Sequence, residues 1–348
     1  MRKVALTLIT IGAALVLAGT AQAAEPVQER AMNTALMRAK KVGTVESVAV
    51  VPTTLEHAQV AAAPPGALGA PSNPVHVVTV KGHFVDYMAS VPPGDPFPSG
   101  TEMAFTVEDS TGFVLSEHVG GKKLSTATTA RVRAKVASLH QPRAHAAWGA
   151  ACAQWNHCYS IGEWYMPYTG GKVQGTSAVV KSTAMIVPGW ASGDFVNQEE
   201  WTAFPYKYDA WLESGTKAGE YMDCCSLHGF WEESLGENNY TTGTAPWSFC
   251  CEYKYDSIAV GSGTWYLYWD NALLGGFGGL DTYSERVAAG MEVAANTKPY
   301  ASARIDTAVE WTTGAWHSWS YENGRRVDSG LCWGRAGGII GSMNVGTC

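Results

Sequence analysis

Tyr206-Lys207-Tyr208-Asp209-Ala210-Trp211-Leu212-Glu213-Ser214-Gly215 is the stretch on which the fold turns. Successive side chains of a strand point to opposite faces, so Tyr206, Tyr208, Ala210 and Leu212 share one face and Lys207, Asp209, Trp211 and Glu213 the other. The first face reads as core. The second puts a carboxylate beside an indole. A second acid has a comparable setting downstream, Glu292 in Ala288-Ala289-Gly290-Met291-Glu292-Val293. On a strand its face carries Ala288, Gly290 and Ala294, all small, which leaves room above the sheet for a ligand chain. Met291 and Val293 then point into the core.

On either side, the same kind of alternation recurs at 172–187, 226–235, 248–255, 263–269, 286–294, 303–313 and 317–321, separated by turn signals. Many short strands at such spacing predict an all-β protein, a concanavalin-A-like or jelly-roll two-sheet sandwich. Asp270-Asn271 followed by Leu273-Leu274-Gly275-Gly276-Phe277-Gly278-Gly279 reads as a hairpin with a flexible, glycine-rich continuation.

This sandwich occupies 148–348, and composition marks its start: all fourteen Trp and all eight Cys lie at or after Trp148. Residues 1–147 carry thirteen basic against ten acidic side chains, +3, and residues 148–348 eleven against twenty-one, −10. Opposite charge would draw the two parts together, as expected of a pro-region and the domain it covers; two unrelated modules are the alternative. Net acidity argues against a nucleic-acid partner.

The N-terminal part divides further. Arg2 and Lys3 precede an apolar run from Val4 to Leu17 and then small residues up to Ala24, the pattern of a secretory signal peptide over 1–24. That run is too short for a membrane span, so an exported, extracellular protein is expected, without a membrane partner. Within 25–74, Pro26 to Lys41 reads as a short helix, 43–52 as a strand, and 61–74, rich in Ala, Pro and Gly, as a linker. Residues 75–123 read as a small antiparallel module, which with the helix makes an α+β unit. Its phrase 107–115, Val-Glu-Asp-Ser-Thr-Gly-Phe-Val-Leu, resembles the strand-turn-strand ending of small domains in pro-regions of secreted bacterial peptidases. Residues 124–147 hold Arg131, Arg133, Lys135 and Arg143 and no acid, which fits either an exposed processing site or a plain basic helix.

Eight cysteines in an exported chain predict disulfides. They allow 105 pairings. Proximity points to Cys152 with Cys158, Cys332 with Cys348, and Cys224 and Cys225 with Cys250 and Cys251. No zinc spacing of Cys or His is present, so no metal and no other cofactor is expected. Serine-nucleophile, zinc-peptidase and phosphate-loop motifs are missing too. That leaves acids: two carboxyls in a β cleft can share a proton, one acting as base on water while the other donates a hydrogen bond. Glu213 and Glu292 are the chosen pair, with Glu199, Glu200, Glu232, Glu233 and Glu310 as rivals.

Trp211-Leu212-Glu213-Ser214-Gly215 and Gly290-Met291-Glu292-Val293 resemble the two catalytic motifs of glutamic peptidases of the eqolisin and neprosin type. The resemblance implies a two-sheet sandwich made with an N-terminal pro-region, a zymogen, that hydrolyses peptides at acidic pH. It makes Glu292 the general base and Glu213 the acid that polarises the scissile carbonyl, or the reverse. Glu213 stands where eqolisins have Gln, and the cysteine pattern and residues 300–348 do not look like neprosins. Trp201, Trp211 and Trp269 are the candidates for lining an extended-peptide cleft. The alternatives are a lectin-like sandwich without catalysis, its aromatics stacking on polysaccharide, and a jelly-roll glycosidase.

Overall fold

The two acid-bearing stretches both form strands, and only one strand separates them in the same sheet. The computed structural model describes residues 26–55, 58, 72–139, 152, 156–165, 172–204, 210–220, 225–236, 239–249, 252–311, 314–319, 322 and 324–348. The expected signal peptide, most of the 61–74 linker, Trp148 and the first four residues of the opening stretch fall outside these.

The chain starts with helix α1, Val27–Val42, where Ala31, Ala35, Ala39 and Val42 form one buried stripe at helical spacing. Glu29 in its first turn and Lys40 and Lys41 in its last suit the helix dipole. The stripe lies on an antiparallel meander of β1 (Gly43–Thr54), β2 (Pro74–Val85), β3 (Ser99–Glu108) and β4 (Val114–Gly120). Helix α2, Thr126–Leu139, follows. It buries Val132 and Val136 against Val85, Tyr87 and Leu124 and leaves Arg131, Arg133 and Lys135 exposed. Within the basic segment, 126–139 is helical; residues 140–147, with Arg143, lie outside the described residues.

The sandwich follows as β5 (Cys158–Tyr165), β6 (Val173–Ile186), β7 (Phe195–Ala203), β8 (Ala210–Gly219), β9 (Leu227–Leu235), β10 (Tyr240–Phe249), β11 (Glu252–Gly261) and β12 (Thr264–Trp269). It continues with β13 (Ala272–Phe277), β14 (Arg286–Ala294), β15 (Tyr300–Trp311), β16 (Trp316–Ser318), β17 (Gly324–Val327), β18 (Leu331–Arg335) and β19 (Ser342–Thr347). Among the described residues these make two antiparallel sheets. One runs β1-β2-β3-β4-β10-β9-β8-β7-β14-β5-β17, the other β13-β12-β11-β6-β15-β19-β18, with β16 on β15. This is the expected all-β sandwich. Its core between the sheets gathers Leu212, Met291 and Val293 from one side and Val180, Tyr255, Trp265, Leu267 and Ile305 from the other.

The N-terminal meander is not a separate sheet. β4 pairs with β10, Val119 opposite Tyr240, so four N-terminal strands prolong the sandwich sheet that bears Glu213 and Glu292. A second core lies on the outer face of that sheet, where Val78, Val80, Phe84, Ala89 and Val91 meet Trp201, Trp211, Tyr159 and Ala288.

Two local expectations change. Asp270 and Asn271 do form a hairpin turn, both at positive φ (42° and 67°), but the glycine-rich continuation is strand β13. Its backbone pairs with β12, and a Cβ on Gly275 would fall 2.7 Å from the Phe277 ring, so the missing side chain makes space for an aromatic. The stretch 248–255 is split between β10 and β11. Disulfides join Cys152 to Cys158 (Cα–Cα 4.9 Å) and Cys332 to Cys348 (5.7 Å). Cys225 is disulfide-bonded as well; Cys224, Cys250 and Cys251 lie outside the described residues. No helix among the described residues is long and apolar enough to cross a membrane.

Candidate active site

β7 lies between β8 and β14, and its register decides which side chains meet. Trp201 stands opposite Glu213, and Glu199 stands opposite Gly215 on one side and Gly290 on the other. Asn197 faces Lys217 and Glu292, and Glu232 of β9 faces Glu213. Directly opposed residues share a face, so Glu199, Glu213, Glu232, Glu292 and Lys217 all stand on the outer surface of this sheet. The two glycines are needed: a Cβ on Gly215 would lie 2.6 Å from the Glu199 Cβ, and one on Gly290 2.6 Å from Ile161.

Glu199, Glu213 and Glu292 come together, each offering a carboxyl oxygen within 4.8 Å of the others, and none is exposed to solvent. What covers them is the strap between β2 and β3. Ser90 Oγ lies 2.6 Å from Glu213 Oε1, 3.3 Å from Glu199 Oε2, and in hydrogen-bond contact with Glu292 Oε2. A hydroxyl has one proton to donate and two lone pairs to accept with. Satisfying three carboxyls at once therefore requires two of them to arrive protonated. Burial and mutual repulsion supply that state: burial first, then the Glu199 and Glu292 charges, push Glu213 well above the usual carboxylate range. Glu199 is raised in the same way, chiefly by burial.

Each of the paired carboxyls has one oxygen tied down. Trp201 Nε1–H donates to Glu213 Oε2 at 2.6 Å, and His157 Nδ1 bonds Glu292 Oε1. The other oxygen of each, Glu213 Oε1 and Glu292 Oε2, meets the Ser90 hydroxyl. His157 Nε2–H donates to the carbonyl of Tyr87 at 2.7 Å, and Tyr159 OH donates to the carbonyl of Val91 at 2.8 Å. Because a carbonyl only accepts, the Nε2 proton is fixed, and the Nδ1–Glu292 contact holds one more proton between ring and carboxyl.

Beside this centre runs a chain of charges. Lys217 Nζ reaches Glu220 (2.7 Å) and Glu232 (3.5 Å), which hold the ammonium charged against the pull of burial. Arg38 of α1 bridges Glu117 (3.2 Å) on the N-terminal meander and Glu220 (3.1 Å) on the sandwich. Burial, then the neighbouring Asp86, raises Glu117 to about 8.

Three carboxyls this close could hold a cation by distance alone. Hard cations, however, take ionised oxygen ligands in larger number, and here a shared hydroxyl and protonated carboxyls account for the contacts. The set is read as sharing protons.

Of the expected cleft aromatics, Trp201 and Trp211 are on this face, buried beneath the N-terminal meander. Trp269 is not: it ends β12 in the other sheet, its ring 5.4 Å from that of Tyr253, packed on the core between the sheets. The period-2 reading placed Trp269 on a strand without saying in which sheet. Of the rivals, Glu199 joins the cluster, Glu232 lies beside it, and Glu200 and Glu310 are on β7 and β15 away from it. Sequence reasoning missed Ser90, His157 and Tyr159. The one signal was that Asp86-Tyr87-Met88-Ala89-Ser90-Val91 runs between two strands without a Gly or Pro before Pro92.

No protein-family model matches the chain, and no curated protein matches it. Among solved structures the chain is similar to scytalido-glutamic peptidase bound to a peptide-based transition state analogue, at 10% identity and a TM-score of 0.36, over 56% of this chain and 98% of that one. It is also similar to a κ-carrageenase of Zobellia galactanivorans, at 12% identity and a TM-score of 0.24, over 40% of this chain and 55% of that one. A Caenorhabditis elegans galectin gives 14% identity and a TM-score of 0.23, over 38% of this chain and 92% of that one.

Proposed function

We propose that this chain is a secreted glutamic-type endopeptidase, made latent by residues 25–147 and acting at acidic pH on peptides bound across the outer face of the sheet. The observation that carries the reading is the convergence of Glu213 Oε1 and Glu292 Oε2 on one oxygen, that of Ser90, with the remaining oxygen of each carboxyl anchored by Trp201 and His157. Once the strap leaves, a water bonded at the same point would stand between an acid and a base. Glu292 takes a proton from that water as its oxygen bonds the scissile carbonyl carbon; Glu213, protonated, donates a hydrogen bond to the carbonyl oxygen as it becomes an oxyanion. The carbon–nitrogen bond then breaks, and the proton held by Glu292 passes to the leaving amine. Export rests on the 1–24 pattern and fits the disulfides.

The test is digestion of denatured protein between pH 3 and 6 after cleavage within 124–147. Glu213→Gln and Glu292→Gln are each expected to lower the rate by about 10³-fold or more, the scale on which acid–base catalysis and oxyanion stabilisation act. Full rates in both variants discard the pair. No hydrolysis together with tight glycan binding replaces the peptidase by a lectin.

A further inference from the structure

The strap shows more than coverage, because its backbone is gripped on both sides of the carboxyls. Tyr87 and Val91, four residues apart, each present a carbonyl to a buried donor of the sandwich, His157 Nε2–H and Tyr159 OH, at 2.7 and 2.8 Å. Both donors are built in. The His157 ring packs edge-on against Phe195 of β7 at 5.5 Å and its Nδ1 is tied to Glu292, while Phe97 of the strap covers another edge at 4.8 Å; the side chain is 1% exposed. The Tyr159 ring lies under the Arg326 guanidinium at 4.6 Å, and the residue's own N–H is held by Asp328 at 2.9 Å. Each donor also keeps contacts within the sandwich, His157 with Phe195 and Glu292 and Tyr159 with Arg326, Asp328 and Glu292, and each gives a proton to a backbone carbonyl, a group every peptide offers. Of the three residues between the two grips, Met88 is partly exposed while Ala89 and Ser90 are buried at 2% and 0%, so the side chains set against the carboxyls are small.

Building on the peptidase reading, we infer that His157 and Tyr159 are substrate-binding residues that hold two backbone carbonyls of a bound peptide about four residues apart, with small residues between them over Glu213 and Glu292. The strap occupies this groove as a peptide does. It resists hydrolysis there because the oxygen it gives the carboxyls is a serine hydroxyl, whose carbon bears no carbonyl for water to attack. The same donors that grip the strap in the latent chain grip a substrate afterwards.

The experiment uses the full chain carrying Ser90→Glu, which sets a fourth carboxyl among three and expels the strap; faster amide hydrogen exchange at 86–91 verifies the release. The probe is a labelled synthetic peptide copying Val85–Pro93, followed by fluorescence anisotropy. It is expected to bind this variant, and adding Tyr159→Phe or His157→Gln is expected to weaken binding about tenfold each, the scale of one hydrogen bond. Binding unaffected by both changes overturns the inference, as does no binding to a chain whose strap is open. A second measurement needs no displaced strap: in the full chain with Tyr159→Phe alone, exchange at Ala89, Ser90 and Val91 is expected to quicken about tenfold, and unchanged exchange overturns the assignment. If the probe binds with the stated dependence but neither it nor denatured casein is cut at any pH, the peptidase reading fails and the groove stands.

Discussion

Glu199 and Glu200 are neighbours in sequence and both are buried, yet they sit in opposite chemical situations because a strand sends them to opposite faces. Glu200 points between the sheets, where Thr176 (2.6 Å) and Thr202 (3.4 Å) donate to one oxygen and Ser214 (3.0 Å) and Ser257 to the other. Four hydroxyls of the fold surround that carboxyl. Glu199 points outward to Glu213 and Glu292, which are acids themselves, and the three share a single hydroxyl from the strap. Burial raises both. Hydroxyl donors bring Glu200 back to about 7, whereas Glu199, eased by a hydrogen bond with Glu213 but opposed by the Glu292 charge, stays well above its ordinary range, chiefly through burial. A buried acid alone therefore marks nothing. What separates a structural carboxyl from a reactive one is whether its partners are donors built into the fold or other acids and a removable ligand.

The largest effect that sharpens this contrast is on stability. Glu200→Ala leaves four hydroxyls facing a cavity and should cost about 3 kcal/mol in urea unfolding, while the folded fraction of the processed chain keeps its rate. Glu199→Gln should do the reverse, leaving the urea midpoint nearly unchanged and lowering the rate. If Glu200→Ala abolishes turnover in chains that remain folded, the division between the two faces is wrong.

The pH dependence follows from the same residue. A carboxyl raised to about 7 in the folded state, against roughly 4.3 in the unfolded chain, binds its proton more tightly when folded. Its stabilisation is complete below about pH 4 and is lost as pH rises to about 7, a change of about 4 kcal/mol. Glu117, raised to about 8, works in the same direction over a wider range. Glu200→Gln should therefore flatten the fall in stability between pH 4 and 7 relative to the unmodified chain, measured by urea melts at fixed pH. Parallel curves would mean that Glu200 does not hold its proton.

The comparison also explains how far the sequence could be read. β14 was legible from the small-large alternation of 286–294, and β8 from Trp211-Leu212-Glu213, because each strand has one apolar face. β7 was not. Asn197-Gln198-Glu199-Glu200 is polar on both faces, since one face supplies the outer cluster and the other the hydroxyl network, so no period-2 hydrophobic signal exists. That Glu213 and Glu292 would share a face with one strand between them depends on β7 inserting there, which local pattern does not encode. The attraction between a basic N-terminal part and an acidic sandwich was visible in the charges, and Arg38 bridging Glu117 and Glu220 is one place it acts. The pairing of β4 with β10, more than a hundred residues apart, was not visible, and neither was Ser90, whose role exists only once that pairing sets the strap over the acids.

Smaller effects test the indoles, which the sequence grouped together and the fold divides between the sheets. Trp201→Phe keeps most of the buried ring surface and removes the N–H that fixes Glu213 Oε2, so the processed chain should lose about tenfold to a hundredfold in rate with little change in substrate KM. Trp269→Phe removes an indole that packs on Tyr253 and the core between the sheets, in the sheet that does not carry the acids. It should cost about 1 kcal/mol of stability and change the rate less than twofold. Equal losses of rate in the two variants would show that the indoles act through general stiffness of the sandwich. A loss confined to Trp201→Phe ties the rate to one hydrogen bond on one face, which is what the contrast between Glu199 and Glu200 requires.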